Sequence, residues 1–259
     1  LLGIVTFVVL FPVYTTVIGA LKPSGKLLDN PLLPDAFTLE VVRDAWTDGR
    51  LGRYLVNSAI VALIVTVAQV VTSVLSGYAF ALLDFPGRNV LFVSFLATML
   101  VPLEATLVVN RRTVGELGWL NSYQGLAIPF AATAFGTFLV RQAFLGLPGE
   151  LRDAARIDGA GHLAFLRRVA VPLVRPTLGA LALFSFLASW NQYLWPNLIT
   201  TNDDMHTVQS GLRALRQGAI QDPNLVMAGT VIAAVPIVIA LRVFQKALVR
   251  GLTAGAVKG

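Results

Sequence analysis

The chain has 259 residues, of which 56% are hydrophobic and only 13% charged. A soluble domain carries about 25% charged residues, so the composition excludes an ordinary soluble domain and indicates a membrane protein. The formal net charge of +6 does not indicate a nucleic-acid-binding protein, because the basic residues lie at the ends of apolar runs. The absence of cysteine excludes a disulfide framework. The two histidines, His162 and His206, lie far apart in the sequence, which argues against a metal site.

Long uncharged runs divide the sequence. A helix needs about 20 mostly apolar residues to cross a bilayer core about 30 Å thick. Runs of that kind lie at 1–21, 54–83, 89–110, 117–140, 176–202 and 223–241. They lack the alternation of a transmembrane β-barrel, and helices are the other structure that satisfies its own backbone in lipid. The sequence therefore predicts an all-α, polytopic protein with six transmembrane helices in one transmembrane domain, 1–259, and with both ends on the same side.

The connections between the runs differ in length. Residues 22–53 form a long extramembrane connection, and its amphipathic part, 39–46, is predicted to be a short interfacial helix. The links 84–88 and 111–116 are short, which predicts antiparallel neighbouring helices. Lysine and arginine are almost equally distributed between the two sides, so the charge rule does not decide the orientation.

Polar side chains inside the apolar runs are the candidates for a translocation path, because polar groups at membrane depth usually face a bundle interior or water. The candidates are Asn57, Ser73, Glu104, Asn191 and Gln192. Packing between helices is the alternative for the polar stripe of the second run, which also includes Ser58, Gln69, Thr72 and Ser76. For Glu104, which follows Pro102, the alternative is a hydrated position at the membrane interface. For the fifth run, the alternative is an interfacial belt of aromatic residues.

Catalytic motifs are missing from the sequence. It contains no nucleophile–base–acid arrangement, no metal-ligand cluster and no G-x-x-x-x-G-K-[ST] phosphate loop. The chain is therefore predicted not to be an enzyme, and any use of ATP must take place in a separate subunit.

A polar, arginine-rich island, 147–176, interrupts the apolar pattern. Residues 150–158 predict a short helix that is entered at Pro148 and ended by Gly159, with acidic residues in its first turn where the helix dipole favours them. One face of this helix would carry small residues that press closely into a groove on another protein. That face consists of Leu151, Ala154, Ala155 and Asp158.

These residues carry a specific resemblance. Asp153-Ala154-Ala155, Gly159 and Val169-x-Val171-Pro172 resemble the EAA loop of ABC-importer permeases, and AARIDGA resembles the carbohydrate-uptake branch. The family usually has Glu where this chain has Asp153, so the charge is kept on a shorter side chain. Further motifs follow in the family's order: Asn57-Ser58, Ser76 to Phe80, Met99 to Pro102, Trp190 to Pro196 and Gly251 to Gly259.

The resemblance implies roles for individual residues. The coupling loop, 148–172, would dock on the ATPase through Asp153, Ala154, Ala155, Asp158, Gly159 and Pro172. The tail would reach into the ATPase dimer interface through Leu252, Thr253, Ala254, Gly255 and Lys258. The polar segment 200–222 between the last two runs is predicted to lie outside and to contact the binding protein through Asn202, Asp203, Asp204 and His206. A hydrated connector is the alternative for this segment.

The resemblance also implies the surroundings of the chain. It predicts a multi-pass protein of the bacterial plasma (inner) membrane, in contact with lipid and not with nucleic acid. Its partners would be a second permease, a homodimeric ATPase and an extracytoplasmic solute-binding protein. The chain itself would hold no cofactor, since ATP and Mg would be bound by the ATPase.

The substrate is indicated by longer matches. The sequences TMLVPLEATLV, LNSYQGLAIP, FLVRQAF and WNQYLWPNLITT look most like permeases for glycerol 3-phosphate and glycerophosphodiesters. Disaccharide or oligosaccharide permeases share much of this pattern and remain an alternative. A stand-alone channel or membrane enzyme is the alternative from a different class, although neither a repeated pore segment nor a convergent titratable cluster is visible.

Overall fold

The computed structural model describes residues 1–259 except 28–29, 31, 34–35, 219–221 and 254–259. All regular elements of these residues are helical, which confirms the predicted all-α class. The α-helices are α1 (Leu2–Ala20), α2 (Glu40–Thr47), α3 (Leu51–Leu82), α4 (Arg88–Ala97), α5 (Leu103–Glu116), α6 (Tyr123–Ala127), α7 (Ala134–Leu145), α8 (Gly149–Ile157), α9 (His162–Phe165), α10 (Val171–Leu173), α11 (Arg175–Trp190), α12 (Leu194–Ile199), α13 (Val208–Gly218) and α14 (Pro223–Thr253).

Candidate membrane spans fall into two groups. Three single helices are long and apolar enough to cross a membrane: α1, α3 and the part Pro223–Gln245 of α14. Three further candidates are bent pairs of helices, so that the described residues contain up to six spans. The pairs are Arg88–Leu100 with Glu104–Glu116, bent by 101°, Tyr123–Phe130 with Ala134–Leu145, bent by 48°, and His162–Leu173 with Arg175–Trp190, bent by 79°.

Prolines explain where these pairs bend. Val101, at φ −80° and ψ 117°, is extended because the ring of the following Pro102 disfavours helical backbone in the preceding residue. Pro129 lies in the 3₁₀ turn Ile128–Phe130, directly before α7. Pro176 stands one residue after the start of α11, where a missing N–H removes no helical hydrogen bond.

The fifth predicted run, 176–202, differs from the observed helices. Its helix ends at Trp190, and the shorter α12 follows after a turn. Pro196, within α12, has no N–H to donate to the carbonyl of Gln192, so one hydrogen bond that would join α11 to α12 is missing. At the other end, the arm His162–Leu173, which lies within the predicted coupling loop, forms the first half of the bent pair.

The chain divides into two compact units, Leu1–Ile60 with Trp190–Ile239, and Val61–Ser189 with Ala240–Gly259. The assignment of 1–259 to one transmembrane domain stays a prediction. The first unit has a core with two fully buried tryptophans, Trp190 and Trp195. The indole N–H of Trp190 donates to the carbonyl of Ala233 at 3.2 Å, which satisfies the polar atom of this buried side chain.

The second unit has its core where α3, α7 and the chain from 165 to 181 meet. Phe144 and Val140 are completely buried there, and Tyr78 packs edge-on against Phe144 with 5.9 Å between the ring centroids. Gly77 permits the close approach of α3 and α7, because a Cβ at this position would lie 3.0 Å from the backbone nitrogen of Arg141. This core supports the short helix α8.

Candidate functional site

Helix α8 begins after Pro148 and ends in a left-handed turn. Gly159 has φ +74°, a conformation that costs a residue with a Cβ about 1–2 kcal/mol. The N–H of Ala160 donates to the carbonyl of Ala155 at 2.8 Å, and the N–H of Gly159 donates to the carbonyl of Arg156 at 3.0 Å. These two bonds form a Schellman motif, which satisfies the last carbonyls of the helix. The predicted turn at Gly159 is therefore present.

The two sides of α8 have different surroundings. Ala155 packs against the core cluster of its own unit, so its small side chain seats the helix on this protein. Asp153, Ala154 and Asp158 are exposed, and Ile157 is 87% exposed. The predicted face grouped Ala155 with the docking residues, whereas the outward face consists of Asp153, Ala154 and Ile157. Ile157 was not among the predicted docking residues, although its spacing of three from Ala154 places it on that face.

A hydrogen bond holds the turn after α8. The Tyr78 hydroxyl lies 3.0 Å from Nδ1 of His162 and also 3.3 Å from the His162 carbonyl. A small cavity of about 110 Å³ lies beside this contact, and its wall includes Arg152, Arg156 and Phe165. Helix α3 thus positions the chain that leaves α8.

The segment after this turn contains a π-helix, Leu166–Ala170, directly before α10. Pro172 is half-buried within α10. Because proline cannot donate a backbone hydrogen bond, the wider π turn accommodates it without a break in the helix. Such π turns are common at functional sites.

The polar stripe of α3 binds neighbouring backbone within the second unit. Gln69 donates to the carbonyl of Phe130 at 2.8 Å, and Thr72 lies 3.0 Å from the carbonyl of Ala131. The hydroxyls of Ser76 and Thr137 are 2.7 Å apart. Ser73 is fully buried, and a Cβ added at Gly136 would collide with its hydroxyl oxygen. These contacts agree with the alternative given for this stripe, which is packing between helices.

Asn57 and Ser58 hold the chain that precedes α13. The Asn57 amide donates to the carbonyls of Asp204 at 2.8 Å and His206 at 2.9 Å. The Ser58 hydroxyl oxygen accepts from the N–H of Val208 at 2.8 Å, which caps the first turn of α13. Asn57 is completely buried, a position that does not favour its assignment to a translocation path.

The segment 202–206, which Asn57 holds by hydrogen bonds, exposes two carboxylates. Asp203 and Asp204 are exposed in a 3₁₀ turn, and the Asn202 side chain accepts from the N–H of Asp204 at 2.9 Å. Arg50 forms an exposed ion pair with Asp204 at 3.3 Å. His206 is half-buried, with its ring 5.8 Å from the ring of Tyr54. The four residues predicted to contact a binding protein are therefore neighbours at one surface.

The remaining predicted residues lie in several places. Glu104 is exposed in the first turn of α5, after the break at Pro102. Asn191 is exposed and Gln192 half-buried in the turn between α11 and α12. In the tail, Leu252 and Thr253 are the last helical residues of α14. Ala254, Gly255 and Lys258 lie outside the described residues.

The long and bent apolar helices define a polytopic membrane protein, and the polar helix α8, ended by a glycine turn, lies between its apolar segments. The family described as "Binding-protein-dependent transport system inner membrane component" matches residues 2–254. The chain belongs to this family and is a permease subunit of a binding-protein-dependent ABC importer. It is a multi-pass protein of the inner membrane, and it is a non-catalytic transport subunit without a cofactor.

Named relatives cover almost the whole chain. The "sn-glycerol-3-phosphate transport system permease protein UgpE" of Yersinia pestis bv. Antiqua (strain Antiqua) is 36% identical over 254 residues, 94% of this chain and 90% of the relative. The protein of the same name from Salmonella typhi is 37% identical over 256 residues, 95% of this chain and 91% of the relative.

A solved structure shares the fold. It is described as the "Crystal structure of a bacterial ABC transporter involved in the import of the acidic polysaccharide alginate". One of its chains matches with a TM-score of 0.83 at 23% identity, over 95% of this chain and 92% of that chain. At this identity the likeness concerns the fold alone.

Proposed function

We propose that this permease imports glycerol 3-phosphate or glycerophosphodiesters. The observation that carries the proposal is the 36–37% identity to the two glycerol-3-phosphate permeases over more than nine-tenths of the chain. In the proposed complex the chain forms half of the translocation pathway, and a second permease forms the other half. Glu104, Asn191 and Gln192 are the candidates for the path, because their side chains are not completely buried within this chain.

Helix α8 is the proposed docking element for a homodimeric ATPase that binds ATP and Mg. Its outward face combines the apolar side chain of Ile157 with the carboxylate of Asp153, so it offers both apolar surface and charge to a partner. Asp153 would accept a charge-assisted hydrogen bond from a basic residue of the ATPase. Ala155 supports the helix from behind, and the glycine turn at Gly159 directs the chain back to its own core.

The segment 202–206 is the proposed contact with the extracytoplasmic binding protein. Its two exposed carboxylates stand on backbone that Asn57 holds by hydrogen bonds. A surface that is ordered before binding loses less conformational entropy when the partner docks. The tail from Leu252 through Lys258 is proposed to enter the ATPase dimer interface, where small residues allow close approach of the backbone.

The experiment that tests the function begins with the isolated binding protein. Mass spectrometry of the solute it retains, followed by uptake of that solute into proteoliposomes with the complete complex, identifies the substrate. We expect a phosphate-bearing glycerol compound and ATP-dependent uptake. A retained neutral disaccharide, imported by the same complex, would replace this substrate with the alternative. Purification of the chain without a co-eluting ATPase, combined with solute flux without ATP, would contradict the docking role.

A further inference from the structure

A cavity with both polar and apolar walls lies in the first unit. It has a volume of about 380 Å³ and lies between the turn after α11, the helix α13 and the start of α14. Small-molecule sites usually have volumes of about 300–1,000 Å³, so this cavity has the size of a binding site. Its lining includes Tyr193, Gln209, Arg213, Arg216 and Thr230.

The spacing of residues on α13 creates the cavity wall. Gln209, Leu212, Arg213 and Arg216 follow one another at steps of three, one and three, which places them on one face of a helix. The other face packs on this unit: Gly211 is buried against the ring of Tyr54, and Leu215 lies close to Gly49. The helix is therefore held by its apolar side, and its other side places the exposed residues Arg213 and Arg216 in the wall of the cavity.

A neutral side chain positions one of these cations. The Asn197 amide donates to the carbonyl of Tyr193 at 2.7 Å, which directs its oxygen toward Arg213. Arg213 donates to that oxygen at 3.4 Å. An amide oxygen orients the guanidinium but does not neutralise it, so the positive charge remains available to a solute.

The cations of the cavity have no carboxylate partner in the described residues. No ion pair between an acidic side chain and Arg213 or Arg216 occurs in that part of the chain, and no acidic residue lines the cavity. Two arginine side chains in the wall of one cavity repel each other and attract an anion. Guanidinium groups bind phosphate through paired N–H donors, so a phosphate group fits this charge and this donor geometry.

The remaining lining groups suit the rest of a small polyol phosphate. The Thr230 hydroxyl donates to the carbonyl of Val226 at 2.8 Å, so its oxygen is left as an acceptor for a solute hydroxyl. The Gln209 amide lies 3.5 Å from the oxygen of Asn191 and connects the cavity to a candidate residue of the translocation path. Leu212 and Val226 supply apolar surface for the carbon chain.

We propose that this cavity is a binding site for the phosphate group of the transported solute, with Arg213 and Arg216 as its ligands. The site rests on the proposed function, since it assigns the phosphate of that substrate class to particular residues. It follows the binding-protein contact segment directly in the chain, so it would receive the solute on release from the binding protein.

The test uses the complete complex in proteoliposomes with radiolabelled glycerol 3-phosphate as the probe. The variant R213Q/R216Q removes both charges and keeps polar side chains. We expect its uptake to fall by more than about tenfold, the factor for loss of one charge-assisted contact. R213K/R216K should retain part of the uptake, because lysine keeps the charge without the paired donors. ATPase stimulation by the loaded binding protein, measured on the same preparation, should stay within about twofold of the wild type.

The matched control is R112Q. Arg112 is an exposed arginine whose ion pair with Glu116 lies within one helix, and such pairs contribute little. Uptake by R112Q should equal that of the wild type.

If the wild type imports glycerol 3-phosphate and R213Q/R216Q imports it equally well, the cavity site is wrong while the proposed function stands. If uptake and ATPase stimulation fall together, Arg213 and Arg216 serve structure rather than solute binding, and the site is again wrong. A wild-type complex that imports only neutral sugars would overturn the proposed function and this site with it.

Discussion

Tyr78 and His162 share a hydrogen bond of 3.0 Å that connects α3 to the first residue of α9. Their rings meet at an interplanar angle of 77°, so apolar contact supports the polar one. Only the turn 158–161 separates His162 from α8. In the proposed complex, a force on α8 from the ATPase would therefore be transmitted to α3.

Removal of this hydrogen bond should loosen α8. In Y78F the ring keeps its edge contact with Phe144, but the hydroxyl is lost, at a cost of about 1 kcal/mol. We expect about fivefold faster hydrogen exchange at amides 152–160 in the intact complex and weaker stimulation of the ATPase. The double variant Y78F/H162A should show less than the sum of the two single effects, because H162A already removes the bond between the side chains and leaves only the 3.3 Å contact with the His162 carbonyl. Full additivity of the two changes would show that the bond does not hold α8.

We expect ATPase stimulation to depend on the backbone conformation at Gly159 and not on the space for a side chain there. A Cβ at Gly159 would meet no atom within 4 Å, but its φ of +74° is unfavourable for alanine. G159A should therefore lower ATPase stimulation per assembled complex, and G159N should do so less, since asparagine tolerates this conformation. G161A is the matched control, because Gly161 has equally open space with φ −71°. Equal loss of stimulation in G159A and G161A would argue against strain as the cause.

The exposed apolar residue of α8 should contribute to ATPase affinity. Burial of an isoleucine side chain stabilises a complex by about 2 kcal/mol, which corresponds to roughly thirtyfold in affinity. We expect I157A to weaken binding of the ATPase to the detergent-solubilised permease by about this factor. I4A makes the same chemical change at another exposed isoleucine, on α1, and should have no effect. Wild-type affinity in I157A would exclude Ile157 from the docking surface.

The binding-protein surface should depend on Asn57. N57L has a similar volume but removes both donors, which leaves the carbonyls of Asp204 and His206 without this partner. Arg53 still donates to the carbonyl of Asp204 at 3.3 Å, so the main loss falls on the carbonyl of His206. The loss of a hydrogen bond costs about 1 kcal/mol, so segment 202–206 should become more accessible to protease. The affinity for the loaded binding protein should fall as well. D204A removes an exposed carboxylate but keeps the backbone carbonyl, so it should weaken affinity without the change in proteolysis. Identical proteolysis of N57L and the wild type would contradict this role.

Much of the fold follows from local pattern. The number and approximate position of the apolar segments were predicted, because a membrane span requires a long uncharged run and such runs are visible in any window of the sequence. The helix α8 and its end at Gly159 were predicted for a similar reason, since caps and dipole preferences act over a few residues. Proline positions alone, however, do not decide which candidate spans are bent pairs, because a proline inside a helix also permits an unbroken helix, as Pro12 and Pro236 do here.

The candidate site could not be predicted from the sequence alone, because the roles of its residues depend on contacts with residues that lie far away in the chain. Gln69 and Asn57 both read as polar groups at membrane depth, and only the positions of the carbonyls at Phe130 and Asp204 show that both are satisfied within this chain. Ile157 is exposed and Ala155 packs on the core, and the sequence of α8 alone does not distinguish these two positions. The composition and the periodicity determined a helical membrane protein with a polar helix between its apolar runs, and the resemblance in motifs predicted the permease family. The three-dimensional fold decided which polar groups are used in packing and which remain available to a solute, as we propose for Arg213. That choice depends on contacts between residues far apart in the chain.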